Sequence, residues 1–312
     1  MLKYLIILLD DESTSFCHYA SKSDKSNLMP IDTLKTGIRF GMMENLMILF
    51  VFPEKVLPID YYEAIDTIDH GVLAPAGCFI DADVVVFNDW DSFGSFEFSG
   101  KGTFVIRTEL DTLLEERNTL FSSLSRMTRI NVVLTDVDRF KEEDFVRYDE
   151  FLSELRESIK KLYLHGYQTQ CNLLTDRIDL EKMNNCNAGI DSITLAPDGK
   201  LYLCPGFYYD SEEPIGNIDA GIKIKNQQLL RLDHAPLCRI CDAYQCKRCI
   251  WLNRKSTMEV NTPSHEQCVV AHLERNQSRR LLAELQDRGL LDKKKEIKEI
   301  SYLDPFDVKE EW

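Results

Sequence analysis

The sequence predicts an α/β protein with a mostly parallel sheet, open or partly closed, followed by a cysteine-rich segment. The first 170 residues alternate short apolar runs with segments of helical spacing, a pattern typical of parallel sheets. The predicted strands are continuously apolar, as expected where helices cover both faces of a sheet. After about Asn184 the composition changes, because seven of the ten cysteines lie between 186 and 268.

The first part of the chain contains the clearest elements. The predicted strands are Tyr4–Leu9, Leu46–Phe52, Val84–Asn88, Thr103–Arg107 and Asn131–Thr135. The predicted helices are Pro30–Gly41, Asp60–His70, Glu109–Thr119 and Lys141–Leu162. The last helix has the strongest periodicity, with apolar residues mostly three or four positions apart: Phe145, Tyr148, Phe151, Leu152, Leu155, Ile159 and Leu162.

The later part of the chain is turn-rich. The segment SITLAPDGKLYLC has two strand-like halves joined by Pro197-Asp198-Gly199, which predicts a β-hairpin that ends near Cys204. A helix follows from Ser264, because Ser264 and Gln267 have the spacing of a capping box, and it carries Cys268 near its start. We therefore expect three parts: an α/β domain at 1–183, a cysteine-rich domain at 184–275, and a C-terminal helix with a charged tail at 276–312.

Charge and hydropathy limit the function. The chain has 37 Lys and Arg against 52 Asp and Glu, a net charge of −15, which disfavours binding to nucleic acid or to an anionic membrane surface. The N-terminal MLKYLIILLDDE has the pattern of a buried strand and not of a signal peptide. No apolar window reaches the roughly 18 residues that a membrane span needs. We predict a cytoplasmic protein, whose reduced cysteines indicate metal or redox chemistry.

Seven cysteines are candidate metal ligands: Cys186, Cys204, Cys238, Cys241, Cys246, Cys249 and Cys268. Thiolates are soft ligands that suit zinc or an iron–sulfur cluster. Four of the seven lie in CRICDAYQCKRC, as two pairs with two-residue spacers, and these pairs are closer together than is usual in structural zinc sites. Seven thiols divide naturally into four plus three, which favours clusters, while zinc stays an alternative.

The order of these residues resembles a SPASM domain, the auxiliary iron–sulfur extension of radical SAM peptide-modifying enzymes. The match comprises Cys186, twelve residues, Gly199, four residues, Cys204, and then the five remaining cysteines. Two spacers, Cys241 to Cys246 and Cys246 to Cys249, are each one residue shorter than usual. The resemblance implies one 4Fe–4S cluster on Cys238, Cys241, Cys246 and Cys268. It implies a second on Cys186, Cys204 and Cys249, with a fourth position open or filled by another ligand.

The N-terminal part departs from the radical SAM pattern. The first loop of a radical SAM barrel carries C-x3-C-x2-C, whereas the corresponding DDESTSFCHYASKSD contains only Cys17, and FVFPEK replaces the GGE-type segment. The resemblance thus implies a partial, degenerate radical SAM-like barrel with no S-adenosylmethionine site, and we predict no catalytic residues.

The whole arrangement resembles the CXXX repeat peptide maturase family, whose members are encoded beside a radical SAM enzyme and a cysteine-repeat peptide. The resemblance implies an iron–sulfur accessory protein with two 4Fe–4S clusters. Its partners would be that radical SAM enzyme and the ribosomal precursor peptide, and its role electron transfer, substrate binding or both, not stand-alone radical SAM catalysis. The alternative is a zinc-stapled peptide- or protein-binding module without a redox role.

The remaining polar and thiol residues have plainer interpretations. Cys78 and Cys171 are predicted to be buried apolar residues, with Cys171 as an alternative fourth ligand. Cys17 and His18 are adjacent and therefore poorly placed to act as nucleophile and base on one substrate. Three histidines near the cysteines are expected to be exposed or hydrogen-bonded: His234, His265 and His272. Two acidic pairs, Asp81/Asp83 and Asp89/Asp91, are expected in solvated loops, with an active site at strand ends as the alternative.

Overall fold

The computed structural model describes residues 2–21, 27–78, 80–98, 102–180, 186–243 and 249–297. Cys246 and the predicted boundary at 183/184 lie outside these residues. The strands are β1 Tyr4–Leu8, β2 Met47–Val51, β3 Gly71–Pro75, β4 Val84–Phe87, β5 Thr103–Thr108, β6 Arg129–Leu134, β7 Gln170–Cys171, β8 Ser192–Leu195, β9 Lys200–Tyr202, β10 Gly216–Asn217 and β11 Gly221–Ile222.

The helices alternate with these strands in the first half and follow them in the second. They are α1 Ile31–Met43, α2 Ile59–Ile65, α3 Trp90–Ser95, α4 Leu110–Glu115, α5 Arg117–Ser123, α6 Glu142–Leu164, α7 Asp176–Asp179, α8 Pro205–Tyr209, α9 Ile250–Thr257 and α10 His265–Asp287. Short 3-10 helices occupy Leu124–Arg126, Val137–Arg139, Gln227–Leu230, Leu232–His234 and Cys238–Ile240.

Within the described residues the strands form one 11-stranded sheet in the order β11-β10-β9-β8-β1-β2-β3-β4-β5-β6-β7. Strands β1 to β7 are parallel to one another, and β8 joins the sheet parallel to β1. Strands β8 to β11 are antiparallel. No pairing between the edge strands closes a barrel among these residues, which agrees with the predicted open or partial barrel. The cysteine-rich segment therefore extends the sheet of the first half.

Local differences from the predicted elements have identifiable causes. The sequence analysis missed β3, whose HGVLAP run is short and is followed by proline. It also extended the preceding helix to His70, whereas α2 ends at Ile65. The predicted helix Glu109–Thr119 is two helices that meet at Glu116. These segments lack the long run of apolar residues at 3.6-residue spacing from which α6 was predicted nearly to its observed ends.

The apolar strands are buried on both faces, but by different structures. In β1, Leu5 and Ile7 pack into the core beneath α1 and α2, whereas Ile6 and Leu8 contact a cluster that includes Tyr19 and Trp251. Side chains alternate between the faces of a strand, so β1 contributes to two cores. The second face is covered by the loop after β1 and by the cysteine-rich segment, including residues of the short helices α8 and α9.

Helix α10 is part of the core of the first half. It packs along α6, and the two helices share one hydrophobic cluster. The Tyr148 hydroxyl donates to Glu274 at 2.9 Å, and Arg177 pairs with the other oxygen of Glu274 at 3.0 Å. All three side chains are buried. The expected boundary at 275/276 falls inside α10, so the helix that carries Cys268 is anchored on the α/β core.

No helix in the described ranges is both long enough and apolar enough to cross a membrane.

Candidate metal centres and an adjoining cleft

The loop that follows β1, residues 9–21, is mostly buried and is fixed to the ends of neighbouring strands. The Ser13 hydroxyl donates to the carbonyl of Val51 at 2.7 Å. Arg107, near the end of β5, donates from Nε to the Cys17 carbonyl at 2.9 Å and from Nη2 to the Tyr19 carbonyl at 2.7 Å. These bonds fix the backbone on both sides of Cys17. The loop is thus a rigid part of the site.

The predicted hairpin is present as β8 and β9, and Cys186 and Cys204 flank it. Its turn contains Gly199 at φ +77°, a left-handed conformation that glycine adopts without steric cost. Cys204 and Cys249 are the N-cap residues of α8 and α9. The amide of Leu252 donates to the Cys249 sulfur at 3.4 Å. Amide donors of this kind stabilise a thiolate and are common around metal-bound sulfur.

Four thiols gather on the face of the sheet opposite α1. Burial raises the pKa of the Cys17 thiol well above its ordinary value, and three neighbouring thiols raise it further: Cys186, Cys249 and Cys204. Burial also raises the pKa of Cys204, with contributions from Cys249 and Cys186. Cys17, Cys204 and Cys249 pack against the same apolar cluster, around Tyr19 and Trp251. We name Cys17, Cys186, Cys204 and Cys249 the sheet-side thiol group.

A second set of ligand-type side chains lies against α10. The Cys241 sulfur is 3.5 Å from Nε2 of His272. Cys268 lies one turn before His272 on the same helix face, since residues four apart are neighbours on a helix. Cys238 is buried in the 3-10 helix immediately before Cys241. We name Cys238, Cys241, Cys268 and His272 the helix-side group. The predicted fourth thiol, Cys246, is outside the described residues.

An ion-pair network holds the helix-side group to α10. Asp242 accepts from Arg275 and from Arg279, each at 2.6 Å. Burial alone would raise the pKa of Asp242, but the hydrogen bonds and charges of the two arginines hold it below its ordinary value. Asp242 and Arg275 are both buried, so the contact is shielded from water. Asp242 adjoins Cys241, and this network therefore positions that sulfur.

The remaining candidate residues lie elsewhere. Cys171 is fully buried in β7 within the α6 and α10 core, as an apolar residue would be. His234 and His265 lie at the surface, near Asp233 and Glu266 respectively. Among the described residues, no three His, Cys, Asp or Glu side chains are arranged to hold a single metal ion.

A cleft of about 1290 Å³ opens beside the sheet-side thiol group, at the carboxyl ends of the parallel strands. Its walls come from the loop after β1, from the ends of β4, β5 and β6, and from Trp251 and Lys255 on α9. Seven of its lining residues are acidic and three are basic: Glu12, Glu54, Asp89, Asp91, Glu109, Glu116 and Asp210, against Arg107, Arg139 and Lys255. Open α/β sheets commonly bind ligands at this edge.

The acidic pairs around β4 separate to opposite ends of the strand. Asp89 and Asp91 line the cleft, and Asp89 also caps α3 by accepting from the Ser92 amide at 2.7 Å. Asp83 precedes β4 and accepts from the Val72 amide at 2.8 Å. Nδ1 of His18 is 2.9 Å from the carbonyl of Leu134, and this contact orients the ring toward β6.

The fold is similar to that of solved structures of anSMEcpe. A structure of histidine-tagged anSMEcpe with bound AdoMet covers 92% of this chain and 100% of its own, with a TM-score of 0.63 and 14% identity. Native anSMEcpe with bound AdoMet and Kp18Cys peptide covers 91% and 99%, with a TM-score of 0.62 and 14% identity. No protein-family model and no curated protein matches the sequence. At this identity the likeness establishes a radical SAM-like α/β fold.

The sequence analysis missed one member of the sheet-side thiol group. Cys17 was considered only as a nucleophile beside His18 and as the lone cysteine of the first loop. Its position directly after β1 was the available signal, because β8 pairs with β1 and brings the hairpin cysteines to the same place. That pairing joins segments about 190 residues apart in sequence, and no local pattern predicts it.

Proposed function

We propose that the protein is an iron–sulfur component of a peptide-maturation system that acts beside a radical SAM enzyme. Its substrate would be a cysteine-repeat ribosomal peptide, and its role electron transfer, peptide binding or both. The observation that carries the proposal is the gathering of four thiols, three of them partly buried, beside a large cleft at the carboxyl edge of a parallel sheet. A solved structure of anSMEcpe, whose fold is similar, contains a bound Kp18Cys peptide, which supports a peptide as the substrate.

The residues fit clusters by their chemistry. All four members of the sheet-side thiol group are soft donors, and at least one of their sulfurs accepts an amide hydrogen bond. The helix-side group supplies three more thiols and an imidazole. A 4Fe–4S cluster accepts and releases single electrons when it is bound at such a site. The chain's own contribution is to fix the thiols, to pack three of them against the apolar cluster around Tyr19 and Trp251, and to keep the group next to the cleft.

The number of thiols favours clusters over zinc. Seven cysteines divide into four plus three, whereas a structural zinc site takes four ligands around one ion. Zinc in either group is the second candidate and would make the protein a stapled binding module.

The cleft fits a peptide better than a nucleotide. Its acidic lining repels phosphate and attracts a peptide that carries Lys or Arg. Trp251 and Trp90 provide apolar surface within the same walls. The loop after β1 has one cysteine where S-adenosylmethionine cleavage by a radical SAM enzyme needs three. We therefore assign the cleft to the peptide and S-adenosylmethionine cleavage to the partner enzyme.

The test uses the anaerobically purified full chain. Mössbauer and electron paramagnetic resonance spectra should show 4Fe–4S clusters, and reduced protein given S-adenosylmethionine should form no deoxyadenosine. A cysteine-repeat peptide that carries Lys or Arg should bind more tightly at low than at high salt, since the cleft is acidic and salt screens the attraction. Stoichiometric zinc without sulfide would replace the proposal with the binding-module alternative. Deoxyadenosine formation would contradict the accessory role.

A further inference from the structure

We infer that Cys17 is the fourth thiolate of the sheet-side site, so that a cluster held there is bound by four protein sulfurs: Cys17, Cys186, Cys204 and Cys249. The inference rests on the proposed function, because it concerns the ligands of one proposed cluster. In this inference the loop after β1 supplies a ligand to the cluster of the sheet-side thiol group. It takes no part in cleaving S-adenosylmethionine.

The backbone places Cys17 at the site independently of any bound group. Its carbonyl and that of Tyr19 are both held by Arg107, and Ser13, four residues earlier, is bonded to β2. The parallel pairing of β1 with β8 then fixes the distance between this loop and the hairpin. A thiol on a rigid loop beside three others loses little conformational entropy on ligation.

The surroundings of Cys17 are those of a cluster ligand. Tyr19 stacks on Tyr209 with ring centroids 5.6 Å apart and meets Trp251 edge-on at 6.4 Å. This aromatic wall packs on the same apolar cluster as Cys17, Cys204 and Cys249 and leaves these three thiols partly buried. The guanidinium of Arg107 supplies a positive charge next to a site that becomes negative when thiols lose their protons to solvent on metal binding.

The other two cysteines outside the predicted ligand set do not share this position. Cys171 is buried in the α6 and α10 core, and Cys78 packs at the core beneath α1 and α2. One consequence concerns the substrate. With four protein thiolates the iron has no vacant position, and a peptide thiol near the cleft contacts protein groups and not the cluster.

The experiment compares iron-loaded wild type with Cys17→Ala, Cys17→Ser and the control Cys78→Ala, all prepared without oxygen. The Cys17→Ala chain should lose about half of its iron and sulfide on desalting, or keep a cluster whose paramagnetic resonance spectrum changes when an external thiol fills the vacated position. Cys17→Ser keeps the side-chain volume and should retain a cluster with a shifted spectrum, because oxygen replaces sulfur. Cys78→Ala should match wild type.

The outcomes separate the two claims. Wild type without iron and sulfide would end the proposed function and this inference together. Wild type with clusters, accompanied by Cys17 variants with unchanged iron, unchanged spectra and no response to added thiol, would overturn the inference alone. Far-ultraviolet circular dichroism monitors folding, and the serine variant decides the question if the alanine variant does not fold.

Discussion

The two thiol groups are built in different ways on the same chain. The sheet-side group takes its members from the loop after β1, from both ends of the hairpin, and from the N-cap of α9, all fixed by strand pairing or helix capping. The helix-side group depends on one long helix and on a short 3-10 segment tied to it by Asp242. The sheet therefore prearranges the first site, whereas ion pairs and α10 packing position the second.

The largest expected loss of stability comes from breaking the buried ion pair that anchors α10. Glu274→Ala leaves Arg177 buried without its carboxylate, and breaking such a pair costs about 3 to 5 kcal/mol. We expect a lower free energy of unfolding, measured by urea titration, together with iron loss confined to the helix-side group. A double change, Arg177→Met with Glu274→Leu, removes both charges and should recover most of the stability. Equal iron loss from both groups would mean that α10 supports the sheet-side site as well.

A smaller effect is expected from Asp242→Asn, which weakens the charged bonds from Arg275 and Arg279. Hydrogen bonds to charged groups contribute about 1.5 to 3 kcal/mol, and we expect a loss near the middle of that range. Thermal unfolding of the iron-loaded protein measures it. The control is Asp233→Asn, which alters the exposed pair with Arg231 and should leave stability unchanged. If the two variants behave alike, the network does not position Cys241.

Near the sheet-side group, the position most sensitive to an added side chain is Gly206 in α8. A Cβ there would lie 2.7 Å from the Trp251 ring, so Gly206→Ala must push α8 away from α9. Overpacking of this kind costs about 1 to 2 kcal/mol, and it should weaken iron retention by the sheet-side group only. Gly94→Ala in α3 is the matched control, because its Cβ would lie an ordinary 3.4 Å from Thr119. Normal iron content in Gly206→Ala would show that the site tolerates movement of the helix N-termini.

Sequence patterns were sufficient where structure is local. The long period of α6, the Pro197-Asp198-Gly199 turn and the Ser264 cap were all predicted correctly. Ser264 accepts from the Gln267 amide as expected, although the Gln267 side chain bonds to Ser256 and does not complete the capping box. The spacing of the thiols predicts two cluster sites, and that assignment stays a prediction.

The positions of residues brought together from distant parts of the chain could not be predicted from the sequence. The position of Cys17 follows from the β1–β8 pairing, and that of His272 from the docking of α10 against the 3-10 segment. The acidic cleft likewise gathers residues from the loop after β1, three strand ends and α9. Each depends on tertiary packing, which single-sequence patterns do not encode.

The central claim is that the cysteines form two separate cluster sites, and iron and sulfide analysis of single and double variants tests it most directly. We compare anaerobic wild type with Cys204→Ala, Cys268→Ala and the double variant. The claim predicts roughly eight irons and eight sulfides in wild type, about half in each single variant, and almost none in the double variant. Loss of all iron in either single variant, or stoichiometric zinc without sulfide in wild type, would contradict it.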